Sequence, residues 1–76
     1  MQSFARGLAV IRTFSAEAPV QTLSEVAARS GLTRAGARRI LLTLQTLGYV
    51  QSDGKHFRLT PRILDLGFAY LSSMPI

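Results

Sequence analysis

Three arginines, Arg34, Arg38 and Arg39, fall close together near the middle of the chain, and guanidinium groups favour one kind of chemistry. Each is planar, always charged and forked, so it can bond two acceptors at once on a phosphate, a carboxylate or the edge of a guanine. Two further cations, Lys55 and Arg58, follow around a short turn. The groups that other chemistries need are scarce. No cysteine is present and His56 is the single histidine, which argues against a disulfide framework and against zinc. The four acids, Glu17, Glu25, Asp53 and Asp65, are scattered along the chain without marking a pocket where an acid and a base would meet. No catalytic residue, cofactor or metal is expected.

The charge points the same way as the arginines. Nine Lys and Arg against four Asp and Glu leave +5. Residues 32–62 hold Arg34, Arg38, Arg39, Lys55, Arg58 and Arg62 against Asp53 alone, while the flanking segments nearly balance. Such a segment can pair with phosphates and release their counterions. Charge alone leaves a solvated basic surface equally open. A chain of 76 residues has room for one domain with a small core, so function is expected on its surface. No apolar run approaches the roughly 20 residues that span a bilayer, and the first residues lack the charged-then-apolar order of a signal peptide. A soluble, cytoplasmic protein is expected.

Short helices must position the arginines. Phe4, Leu8, Ile11 and Phe14 repeat at helical spacing between Ser3 and Ser15, a stripe expected to face the core. Pro19 enforces a loop. Thr22-Leu23-Ser24-Glu25 then has the form of a capping box and opens a short helix that would bury Leu23, Val26 and Ala27 and close at Gly31. The link Ser30-Gly31-Leu32-Thr33 has the length of a helix-turn-helix turn, although an ordinary helical hairpin would look the same. Thr33 is the expected cap of a third helix from Arg34 to Leu47, with Gly48 closing it. On this helix Ala37, Ile40, Leu44 and Leu47 form the predicted core side with Leu41 at its edge, and Arg34, Ala35, Arg38 and Arg39 point away. Ala35 and Gly36 are small enough to let the backbone approach a ligand closely. Leu42 shares the outward face with Gln45 and Thr46, and fits a polar surface less well.

Tyr49-Val50-Gln51 and His56-Phe57-Arg58-Leu59 flank Ser52-Asp53-Gly54-Lys55, a hairpin signal. Alternation predicts Val50, Phe57 and Leu59 inward, Lys55 at the tip and Arg58 outward, where both cations reach a sugar-phosphate backbone. Thr60-Pro61 suits the start of a fourth helix over Arg62 to Leu71, which carries more apolar residues than so small a domain can bury. The expected fold is mainly α with a small β-hairpin: a winged helix-turn-helix with a three-helix core, a two-stranded wing and a C-terminal linker helix. Residues 1–60 make the double-stranded DNA-binding domain. Residues 61–76 make the linker, which would pack on a second copy or lead into a missing domain. A winged helix meeting an acidic protein through the same arginines is the alternative. RNA fits less well, because the six aromatics sit mostly at core spacings and form no stacking platform.

Leu32-Thr33-Arg34-Ala35-Gly36-Ala37-Arg38-Arg39-Ile40, Leu47-Gly48-Tyr49-Val50, Arg6-Gly7-Leu8 and Leu23-Ser24-Glu25-Val26-Ala27 together resemble the N-terminal domain of the IclR family over nearly the whole chain. The run from Thr33 to Arg39 looks more like the subgroup governing catabolism of protocatechuate and related aromatic acids. Ala35, Gly36 and Ala37 stand where the family usually has hydroxyl residues and a valine, so hydroxyl contacts to phosphate are not carried over there; Arg39 matches the family's arginine. The resemblance implies a promoter-binding regulator acting as a dimer or higher oligomer. Its small-molecule effector would bind a C-terminal domain absent here. The expected DNA-contacting set is Thr33, Arg34, Ala35, Gly36, Arg38, Arg39, Lys55 and Arg58.

Overall fold

Thr22 and Glu25 close a reciprocal cap, as their spacing predicts. The Thr22 hydroxyl accepts from the Glu25 amide at 3.3 Å, and the Glu25 carboxylate accepts from the Thr22 amide at 2.8 Å. This cap opens the second helix of a computed structural model that describes residues 2–75. Met1 and Ile76, the outer limits of the two expected segments, lie outside the described residues. Along the chain run α1 (Gln2–Arg12), β1 (Gln21–Thr22), α2 (Leu23–Ser30), α3 (Arg34–Thr46), β2 (Val50–Ser52), β3 (His56–Leu59), a 3-10 turn (Pro61–Ile63) and α4 (Leu64–Ser73). Helices α1, α2 and α3 pack on one another, and α3 also packs on β2.

The core consists of Val10, Val26, Ala27, Ala37, Leu41, Leu44, Val50 and Phe57, with Ile11, Phe14, Leu23, Leu32, Ile40, Tyr49 and Leu59 packed around it. Two expected stripes turn out rotated. On α1 the wholly buried residue is Val10, while Phe4 and Leu8 are 66% and 46% exposed. Only the C-terminal part of α1 reaches the core, and Phe4 and Leu8 nearer its start border an open groove instead. The helix also ends earlier than Ser15. Thr13 and Phe14 donate their amides to the carbonyls three residues back, Val10 and Ile11, and the Thr13 hydroxyl bonds the Val10 carbonyl at 2.7 Å, which tightens and stops the last turn. On α3, Leu41 is fully buried and Leu47, expected inside, is 55% exposed. Helix α3 stops at Thr46, leaving Leu47 as its cap, beyond the reach of the core.

Between α2 and α3, Gly31 adopts φ 74°, and its amide donates back to the Ala27 carbonyl. This left-handed residue ends α2 and reverses the chain at small steric cost only because it lacks a Cβ. The hairpin forms as expected, with Val50 opposite Leu59 and Ser52 opposite Phe57. A third strand joins it: β1 pairs antiparallel with β3, placing Gln21 beside Phe57 and Thr22 beside His56. Two residues are too few to show any alternation, so the strand is invisible in the sequence. The segment expected to form a linker begins as a 3-10 turn, not as α-helix. The Thr60 hydroxyl donates to the Gly48 carbonyl at 2.6 Å and accepts from the Arg62 amide at 3.3 Å, which ties that turn to the base of the wing. Beyond it, α4 has no buried residue.

Candidate nucleic-acid interface

Helix α3 presents its charge through a rigid arrangement. Its start is fixed by Thr33, whose hydroxyl oxygen accepts from the Gly36 amide at 3.0 Å and keeps its own proton available to donate. A Cβ built on Gly36 would lie 3.2 Å from that oxygen, so any larger residue would crowd the cap. Its inner side is fixed by Ala37, Leu41 and Leu44, all buried. With the inner side held, Thr33, Arg34, Ala35, Arg38 and Arg39 are exposed and Gly36 is half-buried. Among the described residues, no carboxylate pairs with Arg34, Arg38 or Arg39. The arginines are not all on one line. At about 100° per residue, Arg34 and Arg38 lie on one flank of the outward face and Arg39 on the other. There Arg39 borders an apolar groove of about 450 Å³ shared with Phe4, Leu8, Ile40, Leu47 and Leu66.

The hairpin holds the other two cations. Asp53 organises the turn: its Oδ1 accepts from the Lys55 amide at 3.0 Å and from the His56 amide at 2.8 Å, while Oδ2 lies 3.6 Å from His56 Nδ1. Those amide bonds, chiefly the one from His56, hold its carboxyl down to about 2. The one acid in the basic segment is thus engaged with the turn's own backbone. Lys55 is exposed in the turn, and Arg58 is exposed on β3 opposite Gln51.

Not every cation belongs to this surface. Arg29 donates to Gln21 Oε1 at 2.9 Å. Gln21 is wholly buried, with its amide nitrogen bonded to the Thr13 carbonyl at 3.1 Å, the Thr13 hydroxyl at 3.3 Å and the Ala18 carbonyl at 3.3 Å. This network joins the end of α1, the following loop, β1 and α2. Among the described residues, no buried side-chain polar atom lacks a hydrogen-bond partner, as burial requires. Arg62 likewise lies over Gly48, with its Nε 3.0 Å from where a Cβ would stand. Neither engagement has a signal in the sequence, since each joins residues from different elements.

The three-helix core, the strand-supported hairpin and the exposed arginine-bearing helix define a winged helix-turn-helix DNA-binding domain of the kind found in transcriptional regulators. Residues 3–54 match the IclR helix-turn-helix domain, and the chain belongs to that family. It is 47% identical over 76 residues to a Pca regulon regulatory protein of Pseudomonas putida, a match covering all of this chain and 26% of that protein. It is also 42% identical over 69 residues to a p-hydroxybenzoate hydroxylase transcriptional activator of Acinetobacter baylyi, covering 91% of this chain and 26% of that one. Among solved structures, a transcriptional regulator from Rhodococcus sp. RHA1 superposes with a TM-score of 0.89 at 60% identity, covering 99% of this chain and 30% of that chain. An IclR family regulator from Brucella abortus gives 0.86 at 34% identity, covering 97% and 29%. The chain thus spans about a quarter of the length of these curated relatives. Among the described residues, no helix is long and apolar enough to cross a membrane.

Proposed function

We propose that this chain is the promoter-reading part of a bacterial regulator of an aromatic-acid catabolic operon, acting in the cytoplasm on double-stranded DNA and carrying no catalytic activity of its own. The observation that carries this reading is the outward face of α3, where three arginines stand exposed without a carboxylate partner among the described residues. In the major groove, Arg34, Arg38 and Arg39 would bond guanine edges and phosphates, with Ala35 and Gly36 permitting close approach. The unspent hydroxyl proton of Thr33 suits a phosphate oxygen. Lys55 and Arg58 on the wing would hold the sugar-phosphate backbone without reading sequence. The curated relatives' names support a catabolic operon.

The short span of the chain relative to those proteins supports residues 61–76 as a linker toward a C-terminal effector-binding domain. The apolar residues of α4, none of them buried, support a homodimer or higher oligomer in the full-length protein. A dimer would favour two half-sites about one helical turn apart, or a multiple of that.

Binding of Arg38→Ala and Lys55→Ala to specific and scrambled duplexes tests the assignment of roles. Loss of a base-reading arginine is expected to cost about 1 to 3 kcal/mol on the specific duplex and far less on the scrambled one. Lys55→Ala should weaken both alike. Equal losses on both duplexes for Arg38→Ala would remove its base-reading role.

A further inference from the structure

Along the middle of the outward face of α3 runs a strip without charge. Ala35, Leu42 and Thr46 are all exposed and, at about 100° per residue, fall within a band about 40° wide. Arg38 and Gln45 stand on one side of this band and Arg39 on the other. Leu42 is 42% exposed. It belongs neither to the core cluster nor to the apolar groove that Arg39 borders, so it contributes to neither folding contact. The strip also lacks a free hydroxyl donor. The Thr46 hydroxyl is turned back onto the Leu42 carbonyl at 3.0 Å, and the neighbouring Thr43 hydroxyl onto the Arg39 carbonyl at 3.0 Å.

A lone exposed leucine is ordinary on most surfaces. This one occupies the centre of the face that is proposed to enter the groove, between cations that would bring it against base edges. The major-groove edges of the four bases offer hydrogen-bonding groups and one apolar group, the 5-methyl of thymine. We infer that Leu42 packs against a thymine 5-methyl group and makes this chain prefer thymine at one position of its site. The flanking arginines bond to groups on either side. The assignment rests on the docking of α3 in the major groove proposed above. It gives that helix a specificity-determining residue that forms no hydrogen bond.

The test uses a duplex selected by this chain from a random pool, with each thymine replaced in turn by uracil. Uracil keeps every hydrogen-bonding group of thymine and lacks only the methyl. At one position the uracil duplex is expected to bind about fourfold more weakly, the worth of one methyl group taken out of water. Leu42→Ala, which removes an exposed side chain and leaves a strong helix former, should bind the thymine and uracil duplexes equally at that position. The assignment is overturned if no single replacement weakens the unmodified chain, or if the uracil penalty persists undiminished in Leu42→Ala. A chain that binds no duplex at low salt would overturn groove docking itself, and this assignment with it.

Discussion

Helices α3 and α4 both give much of their surface to solvent, but what they expose differs in kind. Helix α3 buries Ala37, Leu41 and Leu44 and leaves its arginines outside. Helix α4 buries nothing, and its exposed residues include Leu64, Leu66, Phe68, Tyr70 and Leu71. Their starts differ as well. Thr33 caps α3 through its side chain, whereas α4 continues from the 3-10 turn with no side-chain cap. A helix anchored along one side can hold charged groups in a fixed orientation, because the core pays the ordering cost that free side chains would otherwise bear. Helix α4 is held at its base and borders the groove beside α1 and α3 only through Leu66, and it sends no residue into the buried core. Its apolar residues contribute only when covered by further protein.

The largest effect expected from this contrast belongs to the anchored side of α3. Leu41→Ala should destabilise the fold by about 2 to 5 kcal/mol, read by urea denaturation, and in so small a domain that loss would leave much of the chain unfolded. A cost near zero would mean that α3 is held by something other than its buried side. Next comes the cap. Thr33→Ala should cost about 1 kcal/mol of stability, while Thr33→Ser, which keeps the hydroxyl, should cost much less. Smallest is the effect on α4. Phe68→Ala should change the stability of this chain by no more than about 0.5 kcal/mol in the same denaturation experiment. A large loss at dilute concentration would show that α4 packs on the domain, and the contrast would fail.

How much of this was legible in the sequence depends on whether the determinant is local. The capping box of Thr22 and Glu25, the left-handed Gly31, the Thr33 cap and the Asp53 turn each involve residues within a few positions of one another, so their types and spacing suffice. The outward placement of Arg34, Arg38 and Arg39 also follows from helical periodicity. What periodicity does not supply is the extent of a helix's neighbours. For that reason Val10 and Leu41 hold places in the core that a wheel assigns to Phe4, Leu8 and Leu47. The strand Gln21–Thr22 exists only because β3 offers it a partner. The pairing of Arg29 with Gln21 arises in the same way, from elements brought together by the fold. It separates a cation bonded within the domain from the α3 arginines, which have no such partner among the described residues and look identical in the sequence.

The exposed cations of α3 and the wing are proposed to meet a polyanion. This proposal is tested most directly by measuring duplex affinity across a series of salt concentrations for the unmodified chain and for Arg34→Ala, Arg39→Ala and Arg58→Ala. Binding is expected to be strong at low salt and to fall linearly on logarithmic axes, with a slope shallower by about one for each substitution that removes a phosphate contact. Absence of duplex binding at low salt, or slopes identical in all four proteins, would contradict the proposal.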